Sequence, residues 1–175
     1  MKRQLRLLII FIVWLYCGIS LAGSFSKEDI KAVFILNFTR FIVWPENAFA
    51  THPQQFWVCL FGNDPLWASL QNVLNAETVQ EKAIILRKIT QANAAKNCQI
   101  VYLAPAQLSA TGLLAQLSKT YSILTVSEHS NFLRLGGIIN FFPKNNNVGL
   151  SLNYQAAQQA NLKISSKLLR LTKTQ

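Results

Sequence analysis

Acidic residues are scarce in this 175-residue chain: seven Asp and Glu stand against 17 Lys and Arg, with only two histidines and three cysteines. Catalysis needs titratable groups that converge, and this supply is thin. Ser127, Glu128 and His129 contain the residue types of a hydrolase triad, but neighbours in sequence cannot readily orient into a serine-to-histidine-to-acid relay. His52 and His129 fall in separate loops without a cysteine or acid cluster beside them, which argues against a metal site. Phe61-Gly62-Asn63-Asp64-Pro65 places a glycine between a strand and a helix, yet it lacks the glycine repeat and Lys-Ser/Thr ending of a phosphate loop. The expectation is a non-enzymatic protein with no cofactor and no metal.

The longest hydrophobic run is short. Lys2, Arg3 and Arg6 precede apolar Leu7 to Tyr16, and Ser20-Leu21-Ala22 supplies the small residues of a cleavage site. Residues 1–22 therefore read as a cleaved secretory signal, with an uncleaved anchor as the alternative, and residues 23–175 as one domain. Without the signal the formal charge is +7, from 14 bases and seven acids. Such a balance in an exported chain suits an acidic partner or a membrane surface better than nucleic acid, solubility being the simplest reading. Cys59 and Cys98 remain, and two cysteines in an exported domain most simply form one disulfide, a redox-sensing thiol pair being the alternative.

Ser26 precedes Lys27-Glu28-Asp29 with capping-box spacing, so a helix is expected to start there and to end at Trp44-Pro45. From there strand and helix alternate. Strands are predicted over residues 56–61, 83–89, 99–103 and 122–126, and helices over 64–74, 108–117, 155–160 and 166–171. Residues 138–142 and 148–152 flank an asparagine-rich connection and predict an edge β-hairpin. The pattern is α/β: a three-layer sandwich with a largely parallel central sheet and helices on both faces.

Two surfaces are candidates for function. In the first helix Val33, Phe34, Asn37, Phe38, Phe41 and Trp44 share a stripe assigned to the core, which leaves Ile35, Leu36, Ile42 and Val43 to be covered by another element of the domain or by a partner. Lys163, Lys167, Arg170 and Lys173 fall along one broad side if the terminal helix is continuous, either as a solvated face or as a contact for an acidic partner or phospholipid head groups. A pocket for a small ligand is expected beyond the strand ends, at Gly62 and Asn63 and at Ser127 and Glu128.

The segments KAVFILNFTRFIVWP, FWVCLFGNDPLWASL, ILTVSEHSNFLRLGGIINFF and LNYQAAQQANLKISSKLLRL, with Cys98-Gln99-Ile100, resemble the YfiR-like family of periplasmic regulators. The resemblance implies an exported α/β regulator that binds the periplasmic part of an inner-membrane diguanylate cyclase. It further implies repression of cyclic di-GMP synthesis and hence of biofilm formation. It favours pairing Cys59 with Cys98 and admits a homodimer. The second cysteine pair of some relatives is absent here. A periplasmic sensor of small ligands is the alternative function.

Overall fold

The computed structural model describes residues 25–145 and 147–174. The expected signal sequence, with Cys17, lies outside them. Fifteen elements are named here in chain order: α1 Lys27–Phe41, β1 Ile42–Val43, β2 Gln55–Phe61, α2 Leu66–Leu74, β3 Thr78–Val79, β4 Lys82–Ile89, β5 Ile100–Leu103, α3 Thr111–Tyr121, β6 Leu124–Ser127, β7 Ile139–Lys144, β8 Asn147–Leu152, α4 Tyr154–Gln159, β9 Lys163–Ile164, α5 Ser166–Leu171 and β10 Thr172–Thr174. Short 3-10 turns over 46–49, 92–97, 105–110 and 133–135 join them.

Eight strands form one sheet in the order β10-β8-β7-β6-β5-β2-β4-β3. β4, β2, β5, β6 and β7 run parallel, whereas β3 and β8 pair antiparallel with β4 and β7. Side chains alternate across a strand, so each central strand feeds two cores. Phe56, Val58, Leu60, Ile100, Tyr102 and Phe141 pack with α1, α2, α4 and α5 on one face. Cys59, Phe61, Val101 and Leu103 pack with α3 and the turns around Ala95 and Leu133 on the other. The expected sandwich is present, and β10 adds a parallel strand outside the 139–152 hairpin.

The capping box at Ser26 forms as expected: Ser26 Oγ accepts from Asp29 N, and Asp29 Oδ2 accepts from Ser26 N. Two other expectations fail. α1 stops at Phe41, three residues before Trp44, because Ile42-Val43 leave the helix and pair antiparallel with Lys163-Ile164. This pairing also breaks the supposed terminal helix. Lys163 lies in β9, Lys173 in β10, and only Lys167 and Arg170 share α5.

Gln99 knits the start of the sheet together. Its side chain accepts from Trp57 N at 2.7 Å and donates to the Ala48 carbonyl, while its own carbonyl accepts from Trp44 Nε1 at 3.2 Å. Beside it, Cys59 in β2 is bonded to Cys98 across 39 residues, with Cα atoms 6.0 Å apart. The bridge tethers the 92–97 turn over the second core. Closing a loop of this length restricts the unfolded chain by about 4 kcal/mol on entropy grounds. The Cys59→Ala/Cys98→Ala double variant is accordingly expected to lose up to about that much stability, read as a lower urea midpoint; an unchanged midpoint would show that the bridge does not constrain folding.

Candidate functional site

Between Ile30 and Phe38 apolar residues occupy every side of α1, so sequence periodicity fixes its phase poorly, and packing decides. Ala32, Ile35 and Phe38 are completely buried and Ile42 nearly so, together with Lys31 and Thr39. The expected assignment of faces is therefore corrected by roughly one position. Ile35 and Ile42 are core residues and cannot present themselves to a partner, whereas Val33, assigned to the core, is 42% exposed. Leu36 is half-buried against the first core, and Val43 is exposed. Phe25, Ile30, Val33, Phe34 and Asn37 line a mostly apolar groove of about 370 Å³ on the outer side of α1.

The basic candidates are dispersed. Lys167 lies over the Phe41 ring with Nζ 4.8 Å from its centroid, and Lys173 lies over Phe142. Lys163 is exposed and borders a broad open cavity of about 990 Å³ with Pro45, Asn47 and Tyr154. Arg170 is exposed in the last turn of α5.

The most concentrated chemistry lies at the carboxyl end of the parallel strands. Chain connections leave β2 through α2 toward β4, and leave β5 through α3 toward β6, so the strand order reverses between β2 and β5. Open α/β sheets hold ligands at such crevices. Gly62 follows β2 with φ of +93°, and a Cβ there would sit 2.7 Å from Gln107 Cγ. Only glycine fits without displacing Gln107. The Gln107 side chain thus covers one end of the crevice.

Of the predicted pocket residues, the fold brings Gly62 and Asn63 to the same sheet end as Ser127 and Glu128, across the end of β5. They do not form one open cavity. Asn63 is exposed, and Ser127 is buried with its hydroxyl donating to the Leu103 carbonyl at 2.8 Å. The triad types are not assembled: Glu128 meets Lys31, and His129 Nδ1 accepts from Asn131 N.

The sequence reading missed Lys31, Asp64 and Tyr102 as a group. Lys31, 6% exposed, places Nζ 2.5 Å from Glu128 Oε2 and 3.6 Å from Glu28 Oε1. This pair ties the first turns of α1 to the loop after β6. A buried lysine is tolerable only with such partners. Tyr102, wholly buried on β5, has no hydrogen-bond partner for its hydroxyl among the described residues. Burial, then the nearby Asp64 and Glu128 carboxylates, raise its pKa well beyond the ordinary phenol. The available signals were a lone lysine inside an apolar run and a lone hydroxyl in Ile-Val-Tyr-Leu.

Asp64 caps α2 by accepting from Leu66 N at 2.9 Å. Its pKa is raised chiefly by burial, with Glu128 adding to the shift and Lys31 opposing it. Asp29 is shifted the other way, because hydrogen bonds from Ser69 and Ser26 favour its charged form. Glu128 and Lys31 also border a small cavity of about 150 Å³ with Phe141, Phe142 and Val148. Among the described residues no three His, Cys, Asp or Glu side chains are grouped to hold a metal ion, and no helix is long and apolar enough to cross a membrane.

The fold is an open, largely parallel α/β sandwich whose polar groups lie at the strand-order reversal. The chain belongs to the YfiR/HmsC-like family, whose model matches residues 28–173. That family is one of periplasmic regulators rather than enzymes. A solved structure, a conserved domain protein from Vibrio cholerae O1 biovar El Tor strain N16961, is similar with a TM-score of 0.54 and 10% identity over 83% of this chain. The present chain spans 59% of that protein, and the likeness is one of fold. No curated protein matches the sequence.

Asp64 yields a pH prediction. Its folded pKa lies above the reference of 3.8, so the folded state holds the proton more tightly, and the carboxylate penalises folding increasingly as pH rises above that value. Asp64→Asn, which keeps a capping oxygen, is expected to gain stability relative to the parent as pH rises from about 3.8, where the gain starts, toward neutrality. Parallel stability curves in denaturant titrations across pH would refute this reading.

Proposed function

We propose that this chain is exported to the periplasm, after cleavage of residues 1–22, as a non-enzymatic regulator. In this reading it binds and represses the periplasmic part of an inner-membrane diguanylate cyclase, lowering cyclic di-GMP and biofilm formation. Family membership supports the regulatory class. The observation that carries the protein-binding reading is the apolar groove on the outer side of α1, where Val33 is exposed beside half-buried Ile30 and Phe34. An apolar stripe left uncovered on a rigid, capped helix is a surface suited to a protein partner. Val43, exposed just past the helix end, is a further apolar candidate contact. Leu36, Lys163, Lys167 and Arg170 remain candidate contacts around this centre, and a second copy of the chain is an alternative occupant.

Val33→Asp and Val43→Asp should each weaken binding to the cyclase's periplasmic part at least tenfold, because a charge would be desolvated in the contact. Cellular cyclic di-GMP should rise in the same strains. Unaltered affinity in both folded variants, measured by titration calorimetry, would remove the proposed surface. Ile35→Asp is expected to unfold the domain and serves to separate core from surface.

The second reading, a sensor of small ligands, draws support from the unpartnered Tyr102 hydroxyl beside Asp64 and Glu128. It predicts a rise in melting temperature when amino acids or nucleotides are added, and a smaller rise in Tyr102→Phe. An absence of shift across both ligand classes counts against it.

A further inference from the structure

Acidic residues are confined to one face of the sheet and its edge. No Asp or Glu occurs in residues 82–127 or 129–175. Glu28 and Asp29 belong to α1, Glu77 pairs with Arg40 of α1, and Glu128 and Asp64 surround Lys31. Glu46 follows β1, and Glu81 sits in the β3–β4 turn at the sheet edge. The layer carrying α3 and the 92–97, 105–110 and 133–135 turns contains no acid at all.

This same layer displays Arg87, Lys96, Lys119 and Arg134, all exposed. Arg87 pairs in register with Cys59 and lies 4.2 Å from the Trp57 ring centroid, which places it on the α3 face of β4. Lys96 lies over Tyr121 at 5.7 Å. Between the cations stand Leu113, 46% exposed, Leu135, 46%, and Tyr121, 38%. Arg87, Lys96, Lys119 and Arg134 come from four separate elements, so the positive charge is spread across a face instead of being gathered around one groove.

We propose that the α3 face docks on an anionic phospholipid surface, its four cations meeting lipid phosphates while Leu113 and Leu135 enter the headgroup layer. Interleaved cations and single apolar side chains suit an interface whose anions can move laterally beneath each charge. An acidic protein would instead need its carboxylates fixed opposite four dispersed positions. Docking by this face leaves the α1 groove, on the opposite side of the sheet, free for a protein partner. The inference does not depend on the cyclase reading, since lipid binding is measured without the partner.

The test is co-sedimentation of the purified chain with large unilamellar vesicles of phosphatidylglycerol and phosphatidylethanolamine, against vesicles of phosphatidylcholine alone. Binding is expected with the anionic vesicles, is expected to fall steeply with added salt, and is expected to be absent with phosphatidylcholine. Removal of one cation near such a surface costs about fivefold in partitioning, so Lys119→Gln/Arg134→Gln should bind roughly 25-fold more weakly. Lys82→Gln/Lys88→Gln makes the same change in net charge on the other face and should bind as the parent does. Equal losses in the two double variants would overturn the proposal in favour of unspecific attraction. So would failure to bind anionic vesicles by a chain that binds polyaspartate with the loss confined to Lys119→Gln/Arg134→Gln, which would assign the face to an acidic protein. Matching circular dichroism and urea midpoints confirm that all variants compared are folded.

Discussion

Burial of both faces of a parallel sheet is the constraint on which the rest of this structure depends. A parallel ladder forces each connection to cross the sheet, and the crossing helices cover the strands. The strands must then be apolar at consecutive positions, as Val58-Cys59-Leu60-Phe61 and Ile100-Val101-Tyr102-Leu103 are. Polar groups are driven to the strand ends or matched inside, which is why Gln99 makes contacts through its amide nitrogen, amide oxygen and carbonyl where β5 begins. The exceptions, such as Tyr102, mark the places where local consistency was given up.

This constraint explains what could be read from the chain. β2, β4, β5 and β6 are apolar runs bounded by turn residues, and the pieces between them carry helical spacing, so the architecture follows from local pattern. β1, β3, β9 and β10 are two or three residues long, and nothing local marks them. They exist because tertiary neighbours supply the pairing. The shortening of α1 has the same origin: Ile42 and Val43 are β-branched, and a partner strand 120 residues later offers them hydrogen bonds that the helix would otherwise have provided.

The phase of α1 was illegible for a different reason. With Phe34, Phe38, Phe41 and Trp44 on one side and Ile35, Leu36 and Ile42 on the other, both phases bury apolar surface, and the structure settles between them: Phe38, Trp44, Ile35 and Ile42 are all in the core while Phe34 and Phe41 are only partly covered. What selects the observed phase is Lys31, whose ammonium can be buried only where Glu128 meets it, 97 residues away. Val33 and part of Phe34 are pushed outward as a consequence. The groove on α1 and the buried ion pair are thus two results of one rotation: an arrangement that hid Val33 would turn Lys31 away from Glu128.

Segregation of charge follows from the same helix. α1 and its neighbours hold acids because Lys31 and Arg40 need counterions there and because the capping box takes Asp29. The α3 layer has no buried base to match and caps no helix with an acid; Ser122, with φ of +56°, and Gly136 end its segments by backbone conformation alone. Its surface charge is therefore free of structural demands on the acids: among the described residues none of the four cations meets a carboxylate, and Arg87 and Lys96 contact only aromatic rings. A face whose basic residues meet no carboxylate among the described residues is one on which an external anion meets little competition, whereas Lys31 on the opposite side is already committed to Glu128 and Glu28. The two sides of the sheet are consequently suited to different neighbours, one apolar and one anionic.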